Sequence, residues 1–133
     1  MSWLDLIDRN EALKAVFGTT VPHLDSVRLH EVTLHQDGPT IVLRFDLSEF
    51  PKDAPMKWLK AGHNTVQVRL VLDDVCQTRI EGWTTNNVGN LSVGSNVPAG
   101  VRVEFLAGQA TLFVVSRFAR LDGVSGYCDS VRR

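Results

Sequence analysis

Cysteine is scarce in this 133-residue chain: Cys76 and Cys128 are its only two, and they show neither a CxxC nor a zinc-ligand spacing. A disulfide framework is therefore excluded as the source of stability, and a chain of this length does not need one to bury a core. Both thiols are expected to be buried or half-buried, where free cysteine commonly sits. An excess of either charge is also missing. Fourteen basic residues face fifteen acidic ones, the formal net charge is −1, and no Lys/Arg cluster follows a phosphate track. Nucleic acid is accordingly not an expected partner. No apolar run is long enough to span a bilayer. The opening MSWLDLIDRNEALKAVFG carries Asp5, Asp8 and Arg9 where a signal peptide would be uninterrupted and apolar. The expectation is one domain over residues 1–133, no membrane association and a cytoplasmic location. Internal repeats and low-complexity tracts are absent.

What the chain does contain is an alternating pattern. Residues 27–47, VRLHEVTLHQDGPTIVLRFDL, form two apolar-alternating runs joined by Asp37-Gly38. That dipeptide suits a two-residue type I′ hairpin turn. The turn sets Leu34 opposite Ile41 and Val32 opposite Leu43 on one face, with Glu31 opposite Arg44 on the other. Val27 and Leu29 are out of phase with Val32 and Leu34, so a one-residue bulge near His30-Glu31 is expected to bring all four to one face.

Around this hairpin the chain reads as mostly β. Residues 2–17 read as helix, with Ser2 and Asp5 in capping-box spacing and Asn10 placed to start a second short helix. Residues 48–64 contain Pro51, Pro55 and Gly62 and form a long connection with a turn of helix near Met56. Residues 65–75 alternate as a strand, Asp73-Asp74 interrupts, and residues 75–83 follow as another. Short strands are expected at 91–93, 101–105 and 111–121, with Phe118 a candidate for the inward face, glycines 89, 94 and 100 in turns, and a polar tail from Asp122. The fold class is α+β, mostly β: a short N-terminal helix and an antiparallel sheet of about six to seven strands, as a meander, sandwich or open barrel.

No motif specifies a reaction. The four histidines lack HExxH or Cys/His ligand spacing, and they read as surface or hydrogen-bonded groups. The string Gly123-Val124-Ser125-Gly126 breaks the nucleophile-elbow pattern. Asp46 with Glu49, or Asp73 with Asp74, could border a cleft, but a solvated turn is the better reading. No catalytic, cofactor or metal residue is assigned. The aromatics carry more. Trp58 lies in the lysine-rich connection and Trp83 beside Thr84, Thr85, Asn86 and Asn87. Such composition suits protein recognition. It equally suits tryptophans that pin loops to a sheet edge.

Taken together, SWLDLI with ALKAVFG, the 27–47 hairpin, EFPKDAPMKW, NTVQVRLVLDDV and EGWTTNN resemble the immunity protein 50 family of bacterial polymorphic toxin systems. The resemblance spans residues 3–93 and is looser beyond. It implies a small cytoplasmic antitoxin whose partner is a cognate toxin domain, with no enzymatic activity and no cofactor. The expected partner-binding residues come from loop composition: Phe50, Lys57, Trp58, Lys60, Trp83, Asn86 and Asn87. Two other readings compete with it. One is a small-molecule-binding β domain or enzyme with a pocket between sheet and helix. The other is an adaptor that pairs through an exposed sheet edge.

Overall fold

The computed structural model describes residues 2–130. A 3₁₀ turn, Trp3–Leu6, is followed by α1 (Glu11–Phe17), β1 (Val27–His35), β2 (Thr40–Asp46), α2 (Met56–Lys60), β3 (Thr65–Glu81), β4 (Val88–Ser95), β5 (Val101–Ala107) and β6 (Ala110–Tyr127). The strands close into an antiparallel barrel in the order β1-β2-β3-β6-β5-β4.

The β1-β2 hairpin has the register its alternation demands, with Glu31 opposite Arg44, Val32 opposite Leu43 and Leu34 opposite Ile41. The register shifts between Leu29 and Glu31, so His30 is the bulged residue. That shift puts Val27 and Leu29, both buried, in the same core as Ile41, Leu43 and Phe45. The turn itself differs from the type I′ expectation. It spans residues 36–39, Asp37 keeps negative φ, and Gly38 has φ 122° before a cis peptide to Pro39. Proline has no N–H to donate across the turn, so the ladder opens one pair earlier, at His35–Thr40.

β3 and β6, at 17 and 18 residues, are the long strands that fold the sheet around. Where the sequence suggested a break at Asp73-Asp74, the strand continues. Asp74 takes φ 57°, the register slips between Val75 and Gln77, and the ladder to β6 resumes. A left-handed residue at a bulge turns the strand without ending it, and aspartate tolerates that conformation. Likewise Gly89 and Gly94 lie within β4, and β6 runs past Asp122 to Tyr127 because residues 123–127 pair with the start of β3. Phe118 is 54 % exposed and faces outward. Both cysteines are exposed, contrary to the expected burial. Cys76 occupies the bulge, where packing does not enclose it, and Cys128 follows the last strand.

The interior is filled by Phe45, Phe105, Leu43, Leu70, Leu72 and Val68, with neighbours from all six strands. Eight strands leave room just sufficient for side chains, and six leave less. The N-terminal segment breaks at Asn10, as its capping residue predicts, and contributes Leu4, Ile7 and Leu13 to the core. Among the described residues, no helix is long and apolar enough to cross a membrane.

Candidate functional site

Two groups of side chains stand out, and both are built on the bulge in β1. Arg28, Asp46, Gln67 and Ser125 form one row across β1, β2, β3 and β6. Asp46 lies on the outward side of that row, yet none of it is exposed. Burying a carboxyl group is costly without partners. Asp46 has three: His30 Nε2 at 2.7 Å, Gln67 Nε2 at 3.1 Å and the Tyr127 hydroxyl, which donates to Oδ2. His30 reaches it because the bulge displaces the residue out of the strand's alternation. The cluster thus ties four strands together at one carboxyl group.

The exposed side of His30 faces a groove of about 350 Å³ shared with Arg28, Trp83, Thr84, Thr85 and Asn87. The loop above it is held from below. Asn87 is 5 % exposed, and its Oδ1 accepts from the Thr84 N–H and hydroxyl at 3.1 Å each, while its Nδ2 donates to the Thr84 carbonyl at 2.7 Å. The Asn87 carbonyl accepts from the Leu29 N–H at 2.9 Å and so anchors the loop to β1. Asn86 Oδ1 accepts from Arg28 Nη1 at 2.8 Å. Trp83 is left 45 % exposed.

The seven residues expected from loop composition therefore sort into two groups. Trp83 and Asn87 line this groove, and Asn86 joins them only through its bond to Arg28. Phe50, Lys57, Trp58 and Lys60 belong to the connection before β3. Trp58 is 7 % exposed and lies 6.2 Å from the Phe50 ring and 6.3 Å from His63. It covers the barrel beside Gly126, while Lys57 and Lys60 extend from α2 into solvent. Composition did not reveal Arg28, His30, Gln67 or Tyr127. The available signals were the phase break at His30 and an aspartate, Asp46, set in the apolar run VLRFDL. Asp46 and Glu49 do not share a cleft, since Glu49 Oε1 accepts from the His23 N–H at 2.6 Å.

A charged stripe covers the outer face of β1, β2, β3 and β6. Arg44 Nε lies 2.9 Å from Glu31, Arg69 Nε 3.1 Å from Asp122 and Arg120 Nε 2.9 Å from Asp73. The Arg44 guanidinium, with the Thr33 hydroxyl behind it, holds the Glu31 carboxyl below the ordinary glutamate range. Among the described residues no group of three or more His, Cys, Asp or Glu is arranged to hold a metal ion.

No curated protein and no solved structure matches the chain significantly. The family model described as immunity protein 50 matches residues 9–127, a span that takes in every strand of the barrel, both halves of the Asp46 cluster and the Trp83 groove. The chain therefore belongs to the immunity protein 50 family.

Proposed function

We propose that this protein is a cytoplasmic antitoxin of a bacterial polymorphic toxin system, which binds a cognate toxin domain and blocks it sterically, without catalysis. Family membership supports an immunity role and a protein partner. The observation that carries the binding reading is the braced loop: Trp83 is 45 % exposed above Asn87, whose side chain is committed to holding the turn. A loop braced before binding loses little conformational freedom when it docks, and tryptophan and arginine are among the residues most often found as interface anchors. A standard interface takes about 800 Å² from each partner, roughly a tenth of the 7686 Å² surface of this chain. A patch of that size around Trp83 and Arg28 reaches across the loop and β1. Lys57 and Lys60 on α2 are the second surface proposed for contact, together with Phe50 and Trp58, whose rings lie 6.2 Å apart beside them in the same connection. The filled barrel interior weighs against the alternative of a ligand pocket between sheet and helix.

The test is to identify a large secreted protein with a variable C-terminal domain encoded beside this chain's gene and to co-express that domain with this chain. Survival of the host and a stoichiometric complex in titration calorimetry are the expected results. Trp83→Ala should retain the fold and weaken the complex. A domain that kills despite co-expression and does not bind refutes the reading.

A further inference from the structure

The molecule covers one bare strand edge and leaves two others open. β5 leaves β6 after Ser116, and the chain lays Asp8 against the edge so exposed: the Asp8 N–H donates to the Ala119 carbonyl at 2.9 Å, and the Leu121 N–H to the Asp8 carbonyl at 3.0 Å. β1 receives no such cover. Its last bond on the outer side is from the Leu29 N–H to Asn87, and among the described residues His30 is bulged while 31–35 pair with β2 alone. Among the described residues, 77–81 of β3 pair with β6 alone. Folded proteins generally blunt such edges, because each presents a row of unpaired donors and acceptors.

These two edges bound a single seam. At one end Leu34, Pro39 and Ile41 of the hairpin meet Val75 and Thr78 around a groove of about 220 Å³. At the other, Arg28 and His30 meet Trp83 and Thr84 in the groove already described. Leu34 pairs with Ile41 and Thr78 with Val114, both core residues, so the register aims Leu34 and Thr78 inward. Both are nevertheless exposed, Leu34 by 59 %. The barrel wall is open along this line.

The geometry points to strand addition in this seam: an extended segment of the cognate toxin domain, about six or seven residues long, pairs with the bare edge of β1. The inference rests on the antitoxin reading and says which backbone the partner uses. The segment puts an apolar side chain into the Leu34–Val75 groove and an acidic one against Arg28. The apolar groove is below the roughly 300–1,000 Å³ of small-molecule sites and suits one side chain. Six residues separate Leu34 from Arg28, about 20 Å along a strand, a span that an extended peptide covers and a compact ligand does not. Among the described residues the Arg28 guanidinium donates to the neutral Asn86 amide, which leaves its charge available to a carboxylate. Main-chain bonds along the edge supply affinity, and the two end pockets set register and sequence preference.

The experiment uses the neighbouring toxin domain and twelve-residue peptides tiled across it, each also made with single backbone N-methyl groups. Hydrogen exchange is expected to slow at the amides of residues 30–35, on the edge the segment pairs with, when the domain binds. One peptide should compete, and N-methylation should weaken it at alternate positions only. Leu34→Asp should weaken domain binding by about tenfold or more with an unchanged melting temperature, and Leu34→Met should retain it. A domain that binds while the seam amides stay unprotected and Leu34→Asp has no effect overturns strand addition and leaves the antitoxin reading standing. Sensitivity to N-methylation without alternation also overturns it. So does a dimer of this chain that protects the same amides before any toxin is added. A domain that does not bind at all overturns the antitoxin reading, and this inference with it.

Discussion

Replacing Asp46 with alanine should be among the most damaging changes available in this chain, although it removes no apolar core atom. The carboxyl group is fully buried and accepts from His30, Gln67 and Tyr127. Asp46→Ala removes the carboxyl that the Gln67 amide and the Tyr127 hydroxyl donate to; both side chains are half-buried, and each lost bond costs about 0.5–1.5 kcal/mol. His30 is 29 % exposed at its side chain, so water can replace part of what it loses. The expected total is about 2–4 kcal/mol, from two or three lost hydrogen bonds whose remaining partners water partly reaches. A typical domain has about 5–15 kcal/mol in all. Asp46→Asn keeps the size and one acceptor oxygen and should cost less, about 1–2 kcal/mol. Urea unfolding followed by circular dichroism, with an unchanged slope, measures both. A double-mutant cycle with Tyr127→Phe should give a coupling of about 0.5–3 kcal/mol. A loss below about 1 kcal/mol for Asp46→Ala, or strict additivity in the cycle, refutes the view that this cluster ties the strands together.

Gly126→Ala should destabilise the fold by about 1–3 kcal/mol in thermal melts, because the new methyl would come within 2.7 Å of the Trp58 ring and 2.8 Å of His63 Nδ1. A shift in Trp58 fluorescence should accompany it. Glu31→Gln should make stability less sensitive to acid. The native Glu31 carboxyl titrates below its ordinary range, chiefly through the Arg44 guanidinium. Its contribution is therefore present at neutral pH and is lost as pH falls through the native value. The difference between wild type and variant should shrink steadily as pH falls below the ordinary glutamate range in a series of urea melts. Trp83→Ala should change stability by no more than about 1 kcal/mol, since nearly half the side chain is already in water, while reducing toxin-domain affinity by about tenfold or more in calorimetry.

Alternation and turn chemistry revealed the hairpin register and the bulge, because a strand with one buried face tolerates no slip. The same reasoning failed where backbone geometry overrides composition. Asp73-Asp74 has the composition of a turn, yet Asp74 takes a left-handed φ just before the bulge at Cys76 and the strand continues for seven more residues. Residues 122–127 look polar from Asp122 onward, but they are a strand because β3 begins opposite them. Closure of the barrel was not legible either, since it depends on two pairs, Val27–Gly89 and Arg28–Val88, far apart in sequence. For the site, loop composition pointed to Trp83 and Asn86. It could not tell that Asn87 is spent on bracing the turn or that Trp58 is covered. Those outcomes follow from contacts between segments.

The bulge at His30 links the fold to the surface it presents. Without the extra residue, β1 would keep a single alternation, and either Val27 and Leu29 or Val32 and Leu34 would point away from the core. With it, both pairs face inward, and one side chain is released from the pattern to sit on Asp46. The strand beyond the bulge then follows β2 and parts from β4, which is why pairing with the opposite side ends at Arg28 and the Asn87 carbonyl takes only the next N–H. The open seam, the groove under Trp83 and the buried carboxyl cluster are thus consequences of the same one-residue insertion. Deleting His30 should accordingly do more than remove an imidazole: it should shift residues 31–35 by one position and turn Leu34 away from the hairpin groove. Hydrogen exchange of β1 in such a deletion variant, compared with His30→Ala, separates the two effects. Equal exchange patterns in the two variants would show that the seam does not depend on the bulge.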